Sequence, residues 1–147
     1  MVAEEAGVQR HTFYAHFPDE RSLLMACSER AVTRDPPPDS SGWQQIADWR
    51  ERLRVGLDAL YRWYERNAEL TACVLRDAEF MPLVREVNEL RMGPHMTAYQ
   101  TVLGEQFGES QRAVLRLALS FFTWRTLVRE SGLDHAAAVE AMVRAID

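Results

Sequence analysis

The stretch VAEEAGVQRHTFYAHF, residues 2–17, decides how this chain is read. VAEEAG (2–7) reads as the end of a short helix, closed by Gly7. QRHTFYA (9–15) reads as a second helix, so Gly7 sits in a tight turn between the two, with Val8 packing inward beneath it. Gln9, Arg10, His11 and Thr12 then fill the first turn of the second helix. Those are the positions from which a recognition helix reaches base edges in a major groove. Phe13 and Phe17, four residues apart, anchor the helix to its neighbours. Tyr14 and His16 end in polar groups suited to phosphate oxygens.

Outward from that stretch, helical periodicity recurs and no long alternation of apolar and polar residues appears, which predicts an all-α protein. Pro18 and Asp19 open a third helix running to about Arg34, with Asp19 as its N-cap. DPPPDSSG (35–42) cannot be helical and divides the chain into residues 1–34 and 35–147. Ser41 and Gln44 have capping-box spacing, which predicts a long helix from near Trp43. Its apolar stripe is Ile46, Trp49, Leu53, Leu57, Leu60 and Tyr64, and Arg50, Glu51, Arg54 and Asp58 are expected to face water. Asn67 is expected to cap a shorter helix reaching Ala78, and Pro82 to open the next. Gly93-Pro94 is expected to break or kink that helix, because Pro94 removes an amide donor and crowds the preceding turn. The helix resumes through Tyr99, Val102, Leu103 and Phe107. A strong helix follows Gly108 and ends at Gly132, and Asp134 caps the last one.

The helix expected between residues 110 and 131 carries Leu115, Leu117, Ala118, Leu119, Phe121, Phe122, Trp124, Leu127 and Val128 around nearly its whole circumference. Such a helix is buried on every side. With one short helix after it, a second copy of the chain is the natural cover, which predicts a homodimer through residues 110–147. The alternative is a central helix enclosed by its own chain.

Composition narrows the function. The chain has 147 residues, a net charge of −5, and 17 basic residues that are all arginine. That balance argues against broad non-specific nucleic-acid binding by the whole chain but leaves room for a local DNA-reading patch. No run of about 18 apolar residues would span a membrane, and the charged N-terminus lacks a signal peptide, so a cytoplasmic protein is expected. Cys27 and Cys73, with no metal-like spacing, read as small buried side chains in a reducing compartment. His11, His16, His95 and His135 fall in different elements without metal-ligand spacing. No nucleophile has an activating context and no glycine-rich phosphate loop occurs, so neither an enzyme nor a cofactor is expected.

The pattern VA-x-x-AGV-x-x-x-TFY-x-HF, followed by Leu23, Leu24 and Ala26 on the next helix, resembles the TetR family of bacterial transcription regulators. The motif covers about residues 2–26; beyond it the likeness is one of architecture. The resemblance implies that Gln9, Arg10 and His11 face bases, and that Thr12, Tyr14 and His16 hold the sugar-phosphate backbone. Two positions depart from the family. Glu20 stands where a phosphate-contacting lysine is common, with Arg21 one residue later as the substitute. Gln9 stands where a serine often opens the recognition helix. The family also has a full helix and turn ahead of the point where this sequence starts, so a truncated helix-turn-helix head is expected. Residues 1–34 hold four arginines against five carboxylates, an unhelpful balance for a DNA-reading head.

In the family's architecture the helices after the proline break enclose an apolar effector pocket, followed by a pair of dimerising helices. The resemblance therefore implies operator DNA and a small, largely apolar effector as partners. Tyr61, Trp63, Tyr64, Phe80, Met92, Met96, Tyr99, Phe121 and Trp124 supply aromatic and flexible surface for such a pocket, or simply form core. The Gly93-Pro94 break would favour Met92, Met96 and Tyr99. Arg76 and Arg125, in apolar surroundings, suit an effector carboxylate or an acid of their own chain, and Asn88 is a further polar candidate. The function expected is a dimeric, ligand-responsive repressor. The alternatives are a dimeric helical small-molecule-binding protein with a vestigial DNA head, or a structural pairing module, which the absence of an internal cavity would favour.

Overall fold

In the computed structural model the described residues are 19–147; the DNA-facing candidates Gln9, Arg10, His11, Thr12, Tyr14 and His16 lie outside them. The described residues form seven α-helices and no strand. They are α1 (Glu20–Arg34), α2 (Trp49–Arg66), α3 (Ala68–Phe80), α4 (Pro82–Leu103), α5 (Glu109–Leu119), α6 (Phe121–Trp124) and α7 (His135–Ile146). A 3₁₀ turn, Trp43–Gln45, precedes α2, and a π-helical stretch, Arg125–Glu130, prolongs α6.

The all-helical expectation is met, and the short-range start signals work. The Asp19 carboxylate accepts from Ser22 N at 2.6 Å, Pro82 takes the first turn of α4, and the Asp134 carboxylate accepts from Ala137 N at 2.8 Å. At the end of the π stretch, Leu133 N reaches back to Leu127 O at 3.0 Å, and Gly132 adopts φ +71°. This is the left-handed closure that glycine permits.

α2 is the axis of the body. Leu53, Leu57, Leu60 and Tyr61 are wholly buried on its stripe. They join a core made by Tyr99, Val102 and Leu103 of α4, Leu115, Ala118 and Leu119 of α5, Phe121 and Trp124 of α6, and Ala138, Val139, Val143 and Ile146 of α7. Gly56 lets α4 approach, since a Cβ there would stand 2.9 Å from both δ-methyls of Leu103. Charged residues on the far side of the stripe do more than face water, as the sequence suggested. Arg50 pairs with Asp147, Arg54 with Glu140 through two hydrogen bonds of 2.9 and 3.1 Å, and Asp58 with His135 at 3.2 Å. One row of α2, at four-residue intervals, is thus bolted to the antiparallel α7.

Four local expectations are corrected. First, Ser41 caps no helix: its N and Oγ both donate to Asp39, at 2.9 and 2.8 Å, and α2 begins only at Trp49, capped by Asp48. Asn67 stands at the N-cap of α3 as expected but is also the C-cap of α2, and its side-chain amide donates to Trp63 O at 3.0 Å and accepts from no amide of α3. Second, α4 runs unbroken through Gly93 and Pro94. Pro94 and Leu90 lie on the exposed side, where water can serve the Leu90 carbonyl that Pro94 cannot. Third, the strong helix after Gly108 is interrupted at Ser120, whose ψ is 136° and whose Oγ caps Phe122 N. The break turns Leu117 and Phe122 outward, leaving them 57% and 42% exposed, while Leu115, Leu119, Phe121 and Trp124 turn into the core. Fourth, Cys27 and Cys73 are both exposed.

The proline-rich stretch is a fastened strap. The Asp35 carboxylate accepts from Arg66 Nε (2.9 Å), Arg66 Nη2 (3.2 Å) and Asn67 Nδ2 (2.8 Å), and its carbonyl accepts from Trp63 Nε1 (2.9 Å). Pro37 is buried, and Pro38 O accepts from the Tyr99 hydroxyl at 2.6 Å. Arg66, helped by Asn67, holds the Asp35 carboxyl below its ordinary value of 3.8, against the opposing pull of partial burial. A depressed folded-state pKa stabilises fully above the ordinary value, and the contribution is lost as pH falls through the folded value. Thermal midpoints of the protein and of Asp35→Asn should therefore differ at pH 6 and converge as pH falls well below the ordinary carboxylate value. A constant gap would mean that this carboxylate is not coupled to folding.

Candidate functional site

The sequence-derived ligand candidates divide into an aromatic cluster, a row on α4 and outlying residues. Tyr61 and Tyr64 on α2, with Phe121 and Trp124 on α6, form the cluster. The Tyr64 ring lies 5.4 Å from Phe121, edge-on, and 6.2 Å from Trp124; Phe121 and Trp124 are 5.4 Å apart. Such pairing adds to burial through the ring quadrupoles. The tyrosine hydroxyls face inward. Tyr61 donates to Ala118 O and Tyr64 to Leu119 O, both at 2.7 Å. These carbonyls end α5, where the break at Ser120 leaves them without helical donors. Burial pushes the Tyr61, Tyr64 and Tyr99 phenols up, so all three remain donors across the ordinary pH range.

Asn88, Met92 and Met96 are half-buried along α4, and Tyr99, wholly buried further along, ends on Pro38 O. Arg76 and Phe80 point away from all of these. Arg76 pairs with the adjacent Asp77 at 2.9 Å, and Phe80 is 79% exposed at the tip of the α3–α4 hairpin. Arg21 pairs with Glu86 of α4.

Arg125 belongs with the cluster. Its guanidinium lies 5.0 Å from the Phe122 ring centroid and 6.0 Å from that of Phe121, with Glu130 at 3.4 Å. Arg129, which the sequence did not single out, lies 5.5 Å over the Trp124 ring. Three buried side-chain nitrogens lack a hydrogen-bond partner among the described residues: Trp124 Nε1, Arg125 Nε and His135 Nδ1. Each such group destabilises by about 1–3 kcal/mol. Two of them, on Trp124 and Arg125, sit where the π-helical stretch begins, and π-helical turns recur at functional sites, whereas His135 opens α7. Neither Arg129 nor the π turn has a signature in sequence periodicity; the arginine is an ordinary helix residue until the extra residue of the turn lays it on the indole.

Two open depressions on the described residues lie away from the cluster. One, of about 590 Å³, runs along the outer face of α7 past Ala137, Glu140, Ala141 and Arg144. The other, of about 450 Å³, lies on α1 beside Ala26, Arg30 and Thr33. No group of acidic, histidine and cysteine side chains among the described residues is arranged to hold a metal ion. No described helix is long and apolar enough to cross a membrane. Compared with protein-family models, curated proteins and solved structures, the chain finds no match.

Proposed function

We propose that this chain is a TetR-like transcriptional regulator, a ligand-responsive repressor that binds operator DNA as a dimer. The observation that carries the reading is the sequence AGVQRHTFYAHF with Leu23, Leu24 and Ala26 after it, whose residue types suit a turn glycine, a base-facing helical turn and an aromatic anchor pair. The all-helical body behind it agrees with that reading. Leu117, exposed on α5, is surface that a second copy would cover, in keeping with dimerisation through residues 110–147. A small effector would act by binding one arrangement of helices more tightly than the other.

The test is binding of the native gene product to its own promoter region at low salt. Replacing Tyr14 should weaken binding to all sequences alike, whereas replacing Arg10 should change which sequence is preferred. Loss of specific binding at low salt sinks the reading. A second reading has one observation in its favour: the aromatic cluster closes on itself, and both depressions are open surface. A helical module that works by pairing alone would be built in this way. It predicts no ligand-dependent stabilisation.

A further inference from the structure

We infer that the π-helical turn after α6 is a binding site for a small, flat carboxylate, built from Trp124, Arg125 and Arg129. The inference rests on the ligand-responsive half of the proposed function and gives the effector a chemical class. The groups converging there are nearly all donors. Trp124 is wholly buried and its indole N–H has no acceptor among the described residues. Arg125 Nε is buried and stands 3.4 Å from Glu130 Oε1 without hydrogen-bond geometry, and Glu130 is its only acid among the described residues. Arg129 is exposed, lies over the indole, and makes no salt bridge with a described residue. Two guanidinium groups and an indole N–H call for a partner that brings oxygen acceptors and negative charge. The groups between them are flat and apolar: Phe121, Phe122 and the Trp124 ring, with Phe122 42% exposed. That favours a planar apolar body over a highly hydrated anion.

Access is through Arg129, a flexible side chain whose movement uncovers the indole. The backbone beneath it is suited to yield. A π turn holds one residue more than an α turn, and its bond from Ser131 N to Thr126 O (2.8 Å) can be exchanged for the α-helical partner one residue on. Gly132, already at φ +71°, can absorb the change in direction before α7.

The test follows the indole N–H resonances of ¹⁵N-labelled protein, with benzoate as the probe. The chain has four tryptophans, and Trp124→Phe identifies the signal of Trp124 by its loss. Without probe, that signal should lie upfield of that of Trp63, whose indole donates to Asp35 O at 2.9 Å. Benzoate at constant ionic strength should move the Trp124 signal downfield and saturate it. In Arg129→Gln, half-saturation should need about tenfold more benzoate, with the thermal midpoint unmoved. The proposal is overturned if benzoate on the order of 10 mM leaves the signal in place, if inorganic phosphate moves it equally, or if Arg129→Gln titrates like the parent. A shift that follows protein concentration without benzoate also overturns it, by assigning the acceptor to a second copy. No DNA enters the measurement, so the regulator reading fails or stands separately, on promoter binding.

Discussion

Changing Tyr61 and Tyr64 together to phenylalanine should lower the stability of the protein by about 2–5 kcal/mol. The rings stay, and so does nearly all of the packing. What is lost is the pair of hydroxyl donors on Ala118 O and Leu119 O, each at 2.7 Å. Both tyrosines are buried, so no water replaces the donors. A helix end leaves its last carbonyls unpaired, and at the surface solvent meets them. Here the end of α5 is inside, and two residues one turn apart on α2 meet them instead. Each single change should account for roughly half of the loss, about 1–3 kcal/mol. Urea unfolding of the two singles and the double would measure this, and the coupling between them. If the double change costs nothing, α5 must have closed across Ser120 into a continuous helix. The amide of Phe122, now capped by Ser120, would then report the new bond.

Arg52→Ala should destabilise by about 2–4 kcal/mol, and Arg52→Met by about half of that. Arg52 is 8% exposed, and its guanidinium ties three segments together. Nε donates to Ile46 O at 2.9 Å, and Nη1 to Val102 O at 3.2 Å and to the Glu105 carboxylate at 2.9 Å. Removing the head leaves the Ile46 and Val102 carbonyls without this donor. Glu105, at 70% side-chain exposure, returns to water at little loss, which keeps the effect below that of breaking a fully buried pair. Methionine keeps the apolar stem in place, so the difference between the two variants separates packing from hydrogen bonding. Thermal or urea unfolding of both would decide; equal losses would assign the whole effect to the lost donor.

These two sites also mark where the sequence stops being legible. Asp19, Pro82, Gly132 and Asp134 announce their roles within four residues, and each acts as its local chemistry dictates. The stripe of α2 is equally plain, because burial repeats with the helix period. Serine favours N-caps, but the leucines and phenylalanines around Ser120 suit a continuous helix equally well. Only Tyr61 and Tyr64, more than 50 residues earlier, make the break affordable. Pro94 misleads in the opposite sense: the chemistry that breaks a buried helix is tolerated where the freed carbonyl meets water. Arg52 and Asp35 carry no signal at all, because their partners lie far off in sequence. In the candidate site, Phe121, Trp124 and Arg125 were visible as an aromatic and cationic run. Arg129 and the unpartnered nitrogens depend on a π turn that periodicity does not encode. Arg76, read from its apolar neighbours, points outward because that run lies across α3 and not along one face, and Phe80, read as aromatic pocket surface, is exposed at the end of the same helix.

α1 has no buried residue along its length. Its far end is fixed by the Asp35 knot. Along its flank it is held by the Arg21–Glu86 pair and by Arg91, which donates to Ser28 Oγ at 3.0 Å and to Met25 O at 3.1 Å. Mechanically, this is a rod clamped at one end and lightly pinned along one side. Fifteen residues make a rod about 22 Å long, so a tilt of about 10° at the clamp carries Glu20 through about 4 Å. The direction in which Glu20 points is therefore set by a few polar contacts on α4, and small changes there are magnified at the tip.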